Sequence, residues 1–332
     1  MSKKGLLLLN IGSPKSYEVS DVKKYLRTFL MDKDIINIPF LARWFLVNCM
    51  IVPRRSSYSA GNYKKIWMEG GSPLLVHTVN FAKKLQEAVG DRYSVKIGMR
   101  YSDPSIETAL REFSNEGIED VLLVPLYPQY AEATTGSSLK EVERLLQKMK
   151  LPIKTQALSY FYAAPPFVDS SAKMIEESLR NKTVDHYLFS FHGLPESQVR
   201  KVHGCLRSED CCFEKNACDK PCYRAQCFAS ASAIAQKLHI PASHWSVSFQ
   251  SRLGRGEWLK PATDHSLQVL AESGRKKIAV ICPSFVADCI ETLEEIGMGG
   301  KELFTEHGGE EFDLIPCVND EDHWITNFQK LI

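Results

Sequence analysis

The sequence lacks a tract of one charge: 41 Lys and Arg stand against 40 Asp and Glu, a formal net charge of +1. Without a basic stripe a nucleic-acid partner has no support, and a small-molecule ligand is expected instead. A long clean apolar run is also missing. The longest candidate, Ile35 to Val52, is interrupted by Asn37, Pro39, Arg43 and Asn48, short of the roughly 18–20 residues a spanning helix needs. After Lys3-Lys4 the apolar run Leu6–Leu9 is too short for a signal-peptide core and leads into a turn, which points to a cytoplasmic protein. Neither G-x-G-x-x-G nor G-K-[ST] follows any apolar run, so no nucleotide cofactor is expected.

What is present is a regular alternation. At 332 residues the chain is long enough for two domains with separate cores. Short buried runs at Leu6–Leu9, Tyr93–Met99, Val121–Leu126 and Lys154–Leu158 alternate with helical patterns, one capped by Ser138 with Glu141 three residues on. Ala163-Ala-Pro-Pro166 punctuates the chain, and the alternation restarts with strands ending at His192, at Trp245–Gln250, at 278–282 and at Leu314–Cys317, before a last helix from Trp324 to Leu331. The expectation is α/β: two Rossmann-like doubly wound domains, 1–163 and 164–332, each with a four-stranded parallel sheet flanked by helices and with a cleft between them. The final helix is free to pack back on the first domain. Phe40–Val52, apolar nearly all round if helical, reads as a buried helix; the alternatives are a pocket lip or a membrane-surface element.

Tyr187-Leu-Phe-Ser-Phe-His-Gly-Leu-Pro195 is the stretch that organises the rest. A buried strand there delivers a histidine to its carboxyl end, the edge at which open α/β sheets bind ligands. Ile278-Ala-Val-Ile-Cys-Pro283 has the same form and leads to an acidic helix, where helical spacing places Asp288, Glu291 and Glu295 on one face. A solvated surface helix and a hydrogen-bonded strand-end histidine are the plain alternatives. Together, however, His192 and the carboxylates suit the passage of protons and a borderline metal ion. Trp258, in a loop of turn formers, is placed to stack on a flat ligand or to anchor its own loop.

Six cysteines fall within residues 205–227: Cys205, Cys211, Cys212, Cys218, Cys222 and Cys227. In a reducing compartment such clustering reads as metal ligation. The spacing matches neither paired zinc knuckles nor a plant-type ferredoxin string, and surplus reduced thiols are the other reading.

Five stretches in order resemble the ferrochelatases. They are Leu26-Arg-Thr-Phe-Leu-Met-Asp-Lys-Asp34, Pro125-Leu-Tyr-Pro-Gln-Tyr-Ala-Glu-Ala-Thr-Thr-Gly-Ser-Ser138, Ser190-Phe-His-Gly-Leu-Pro195, Phe249-Gln-Ser251 with Trp258-Leu-Lys-Pro261, and Cys282-Pro-Ser-Phe-Val-Ala-Asp-Cys-Ile-Glu-Thr-Leu293. The resemblance implies insertion of Fe²⁺ into protoporphyrin IX to give haem, coproporphyrin III being the alternative substrate. It implies that His192 takes pyrrole protons or binds iron with Glu291 as partner carboxylate, and that Asp288 belongs to the same acidic path. Phe285 and Trp258 would line the porphyrin pocket, and Arg100 and Tyr101 its wall. Cys289 stands where some members carry a second histidine. Many members hold a [2Fe–2S] cluster, which selects Cys205, Cys212, Cys222 and Cys227 as its ligands, with Cys211 and Cys218 in reserve. A chelatase for another metal or tetrapyrrole, such as a cobaltochelatase, and a haem or Fe–S carrier are the rivals. Contact with a membrane surface or another haem-pathway enzyme is also envisaged.

Overall fold

The computed structural model describes residues 3–203, 211–212, 222–252 and 256–332. The chain forms two compact units: Met1–Leu126 and Ala131–Ser159 with Ile332, and Tyr127–Tyr130 with Tyr160–Leu331.

In the first unit β1 (Lys4–Asn10), β2 (Tyr93–Met99), β3 (Asp120–Pro125) and β4 (Lys154–Ala157) form a parallel sheet in the order β2-β1-β3-β4. Leu6 to Leu9 of β1 are wholly buried, as a central parallel strand covered on both faces must be. The helices are α1 (Val19–Leu30), α2 (Phe40–Phe45), α3 (Val52–Ile66), α4 (Pro73–Val89), α5 (Ile106–Asn115) and α6 (Ser137–Met149). Local chemistry sets several of their ends. Ser72 Oγ caps α4 by accepting from Leu75 N, with Pro73 next in the chain, and Gly90 at φ 59° stops it. Ser105 caps α5 in the same way. Leu7, Leu9, Leu110, Phe113 and Leu145 form the core between β1 and α5–α6.

Two expectations fail in this unit. Ser138 is not a cap: the chain is already wound as a π-helical turn over Glu132–Gly136, so Ser138 lies inside the helix with its hydroxyl buried and unpartnered. Phe40–Val52 is helical, continuing from α2 through a π-helical run at Leu46–Ile51, but it is not buried. Phe40 is 60% exposed, Leu41 79% and Phe45 58%. Only one stripe of a helix can face a core. Here that stripe is Val47 and Val52, packed with Leu30, together with Arg43, whose guanidinium Nη1 donates to the Ile36 and Ile38 carbonyls.

The second unit repeats the strand order. β5 (His186–His192), β6 (Trp245–Gln250), β7 (Lys277–Ile281) and β8 (Glu311–Leu314) pair in parallel as β6-β5-β7-β8. The helices are α7 (Pro165–Ser178), α8 (Glu196–His203), α9 (Tyr223–Lys237), α10 (Thr263–Glu272), α11 (Lys301–Glu306) and α12 (Asp322–Phe328), with a π-helical segment over Glu291–Gly300. β8 comes earlier than Leu314–Cys317, because pairing with Lys277–Val280 selects Glu311–Leu314 and Pro316 has no N–H to extend the ladder. Leu188, Ile278, Val280, Phe304 and Phe312 form its core. The C-terminal helix belongs to this unit. Trp324 meets the Phe167 ring edge-on, and Asn327 Nδ2 donates to Ser170 Oγ at 3.0 Å.

Tyr127–Tyr130 lies between β3 and α6 in the chain yet is part of the second unit. Gln129 is buried there, donating to Ser230 Oγ at 2.8 Å and to the Pro283 carbonyl at 3.1 Å. The Tyr130 N–H donates to Gln226 Oε1 at 2.7 Å.

Candidate active site

In the second sheet β5 lies between β6 and β7, so the chain leaves β5 toward one neighbour and returns to β7 on its other side. That is a topological switch point, where a crevice opens at the carboxyl ends of the strands. His192 is the last residue of β5, and Cys282-Pro283-Ser284-Phe285 follows β7. His192 Nδ1 lies 2.7 Å from the Gly193 carbonyl. A carbonyl only accepts, so Nδ1 carries a proton, and in the neutral ring Nε2 is the nitrogen with the lone pair.

Aromatic rings flank this histidine. The Phe285 ring is edge-on to it at 6.3 Å between centroids. Residues 257–259 run antiparallel to Leu194–Glu196 through Glu196 N to Glu257 O at 2.9 Å and Leu259 N to Leu194 O at 3.0 Å, which seats Trp258 beside Gly193. A Cβ on Gly193 would lie 2.7 Å from the Gln250 carbonyl oxygen and 3.3 Å from the Trp258 ring, so only glycine allows this approach.

The carboxylates divide. Glu291 opens the π-helical segment, and its carbonyl accepts from Gln250 Nε2 at 3.1 Å, while Gln250 Oε1 accepts from Ser190 Oγ at 2.7 Å. Gln250 thus ties Glu291 to the strand that carries His192. Cys289 stands beside Glu291; burial pushes its thiol up, and the adjacent Glu291 carboxylate adds to the effect. Glu295 follows four residues after Glu291, and Ser251 holds its carboxylate through the backbone N–H at 2.8 Å and Oγ at 2.5 Å. Burial raises the Glu295 carboxyl above the ordinary range and Glu291 adds to this, against the Ser251 hydrogen bonds and the attraction of His192. Asp288 does not share their face. It precedes the helix and is 5% exposed, its oxygens taken by Thr292 Oγ1 at 3.0 Å, Asn319 Nδ2 at 2.7 Å and Cys317 N at 3.3 Å. It anchors the chain that follows β8.

Ser251, which holds Glu295, is a residue to which motif reading gave no role. At φ 65° it is a non-glycine residue in the left-handed region, the strained geometry that clusters at sites. Its place in Phe249-Gln-Ser251 is the only sequence signal for it.

Arg100 and Tyr101 lie in the first unit, just past β2. Arg100 Nη2 and Tyr101 Oη each donate to Asp32 Oδ2 at 2.7 Å, and Ser137 Oγ donates to it at 3.0 Å. Burial pushes the Tyr101 hydroxyl well up, and burial opposes the hydrogen bonds and Arg100 charge that leave the Asp32 carboxyl low. The pair forms one rigid polar knot with the loop after α1.

Of the cysteines, Cys205 and Cys218 lie outside the described residues. The Cys212 thiol is pushed up first by its hydrogen bond with Cys222 and then by burial, and Cys211 also acts on it. Cys227 is fully buried, its thiol raised by that burial, with Cys222 adding to the effect. Among the described residues no group of three or more His, Cys, Asp or Glu side chains is arranged to hold a metal ion.

The ferrochelatase family model matches residues 3–332. The chain belongs to the ferrochelatase family. It is 62% identical over 332 residues to the ferrochelatase of Bdellovibrio bacteriovorus, covering 100% of this chain and 99% of that one. It is 43% identical over 338 residues to the ferrochelatase of Ectopseudomonas mendocina, covering 100% and 98%. Among solved structures it is similar to SirB from Bacillus subtilis with Fe³⁺, with a TM-score of 0.54 and 11% identity over 99% of this chain and 93% of that one. At that identity the likeness shows the chelatase fold alone. The ferrochelatase reaction is the insertion of a metal into a porphyrin for haem synthesis, so the protein is a lyase with porphyrin and Fe²⁺ as substrates, not a carrier.

Proposed function

We propose that the protein inserts Fe²⁺ into protoporphyrin IX, with His192 as the group that takes pyrrole protons or meets the incoming iron. The reaction exchanges two pyrrole N–H protons for one Fe²⁺ and releases both. The observation that carries this reading is the His192 tautomer: Nδ1–H is committed to Gly193, leaving Nε2 free to accept a proton or bind a borderline metal. Glu291 is the partner carboxylate. Glu295, with its raised affinity for a proton, is the next acceptor along the π-helical segment. Asp288 serves by holding that segment's start. Trp258 and Phe285 are the pocket residues of the second unit, and the substrate-binding roles of Arg100 and Tyr101, fixed by Asp32 in the first unit, rest on the family resemblance. The preference for protoporphyrin IX over coproporphyrin III rests on the family resemblance.

The soft, grouped thiols Cys212, Cys222 and Cys227 fit a [2Fe–2S] cluster by donor type, and with Cys205 they would hold it. Such a group supplies a covalent core to a polar insert and takes no part in metallation. Cys49, Cys282, Cys289 and Cys317 carry free thiols, which supports a reducing, cytoplasmic setting. Among the described residues no helix is long and apolar enough to cross a membrane. The exposed apolar face of α2 supports contact with a membrane surface from one side.

The test is an anaerobic assay with Fe²⁺ and protoporphyrin IX, following porphyrin absorbance. His192→Ala should lower kcat by about a hundredfold or more and Glu291→Gln by about tenfold, with porphyrin still bound. A folded parent that binds protoporphyrin but metallates only coproporphyrin III would overturn the substrate assignment. Full activity in His192→Ala would overturn the base.

A further inference from the structure

β5 loses one neighbour before it reaches His192. Its pairing with β7 ends at Phe189↔Ile281, whereas pairing with β6 runs on to His192↔Gln250. The Gly193 N–H donates to the Gln250 carbonyl at 2.8 Å, toward β6. Strand alternation therefore turns the N–H and C=O of His192 the other way, to the side that β7 has left. Two backbone groups there need partners.

Side chains from two other elements provide them. The His192 N–H donates to Ser284 Oγ at 3.1 Å, and Tyr223 Oη donates to the His192 carbonyl at 2.7 Å. The two hydroxyl oxygens are 3.3 Å apart. Tyr223 has one hydroxyl proton, already given to the carbonyl, so the proton between the hydroxyls comes from Ser284. Donation then runs from His192 N–H to Ser284, from Ser284 to Tyr223, and from Tyr223 back to the His192 carbonyl. Within the ring each hydroxyl accepts once and donates once, and bonds in such a ring polarise one another.

We propose that Tyr223 and Ser284 are positioning residues for His192, replacing the missing ladder partner and fixing the peptide from which the imidazole is aimed. The proposal rests on the reading of His192 as the proton-accepting group. Tyr223 opens α9 directly after Cys222 and its hydroxyl also meets the Cys227 thiol, so the first turn of that helix stands behind the base.

The experiment compares the full-length parent with Tyr223→Phe, Ser284→Ala and the double variant. It measures kcat and KM, melting temperature, and the histidine ¹⁵N resonances of the protein without added substrate metal. Each single variant should lower kcat about tenfold with KM for porphyrin changed less than about twofold. The double variant should fall no further than the worse single, since either change opens the ring. The His192 ring resonances should shift while those of His186 stay. Unchanged kcat in both single variants would overturn the proposal, as would losses that follow melting temperature with the His192 resonances unmoved. If Tyr223→Phe fails to fold, Ser284→Ala, which removes one hydroxyl, decides the question by the same readouts. If the parent metallates nothing, the base assignment fails separately, and the resonances still report whether the ring holds His192.

Discussion

β5 carries a histidine at each end, and their surroundings give them opposite properties. His192, at the carboxyl edge, commits Nδ1–H to the Gly193 carbonyl. His186, at the start of the strand, is buried with Nε2 2.8 Å from Ser246 Oγ and with Nδ1 unpartnered. Burial, followed by the charge of Arg275, pushes its pKa down to about 4 from 6.5. Its folded-state pKa lies below the unfolded one, so the stability it contributes is present above pH 6.5 and is lost as pH falls toward 4. The loss amounts to at most about 3 kcal/mol. Melting curves taken between pH 7 and 4 should fall more steeply for the parent than for His186→Gln; equal slopes would assign the acid sensitivity to the carboxylates.

At the scale of elements, the α2 face is the clearest departure from the sequence. From Ile35 to Met68 there is no acidic residue, Phe40, Leu41, Trp44 and Phe45 are exposed, and Arg54 and Arg55 are exposed farther along the same helical run. Aromatic and aliphatic side chains edged by arginines suit an anionic lipid surface. Binding to vesicles containing anionic lipid should weaken about thirtyfold in Arg54→Ser/Arg55→Ser, at about 1 kcal/mol per charge, and should also fall in Leu41→Ser. No binding to such vesicles at low salt would end this assignment.

The same scale shows what was legible. Period-two and continuous apolar runs gave β5, β6 and both sheets, because buried parallel strands leave that mark whatever surrounds them. The places of His192 at a strand end and Glu291 at a helix start are legible because such boundaries are written locally. Asp288 was misplaced because its spacing was counted as if the α-helix had already begun, whereas the helix starts after it and winds as π from Glu291. Ser251 and the hydroxyls of Tyr223 and Ser284 could not be read, since their roles depend on partners brought together only by the fold. Phe40–Val52 was misread because apolar composition gives no direction, and nothing local says which stripe meets Leu30.

For the molecule as a whole, the proposed cluster would join folding to iron. Anaerobically purified protein should carry about two iron and two acid-labile sulfide per chain, and Cys222→Ser/Cys227→Ser should lose both and melt at a lower temperature. Sulfide distinguishes this iron from substrate iron. Parent protein without sulfide, or a variant that melts with the parent, would exclude a structural cluster.

Gln129 brings time into the same picture. It is 101 residues ahead of Ser230 and 154 ahead of Pro283, the groups that accept its two hydrogen bonds. At a synthesis rate of about 5–20 residues per second, those partners emerge roughly 5–30 s later. The first sheet can therefore assemble on the ribosome while Tyr127–Tyr130, part of the connection between β3 and α6, are still without their destination. The nascent chain must keep that short segment available, and a competing contact made in the interval would be inherited by the loop that follows β7.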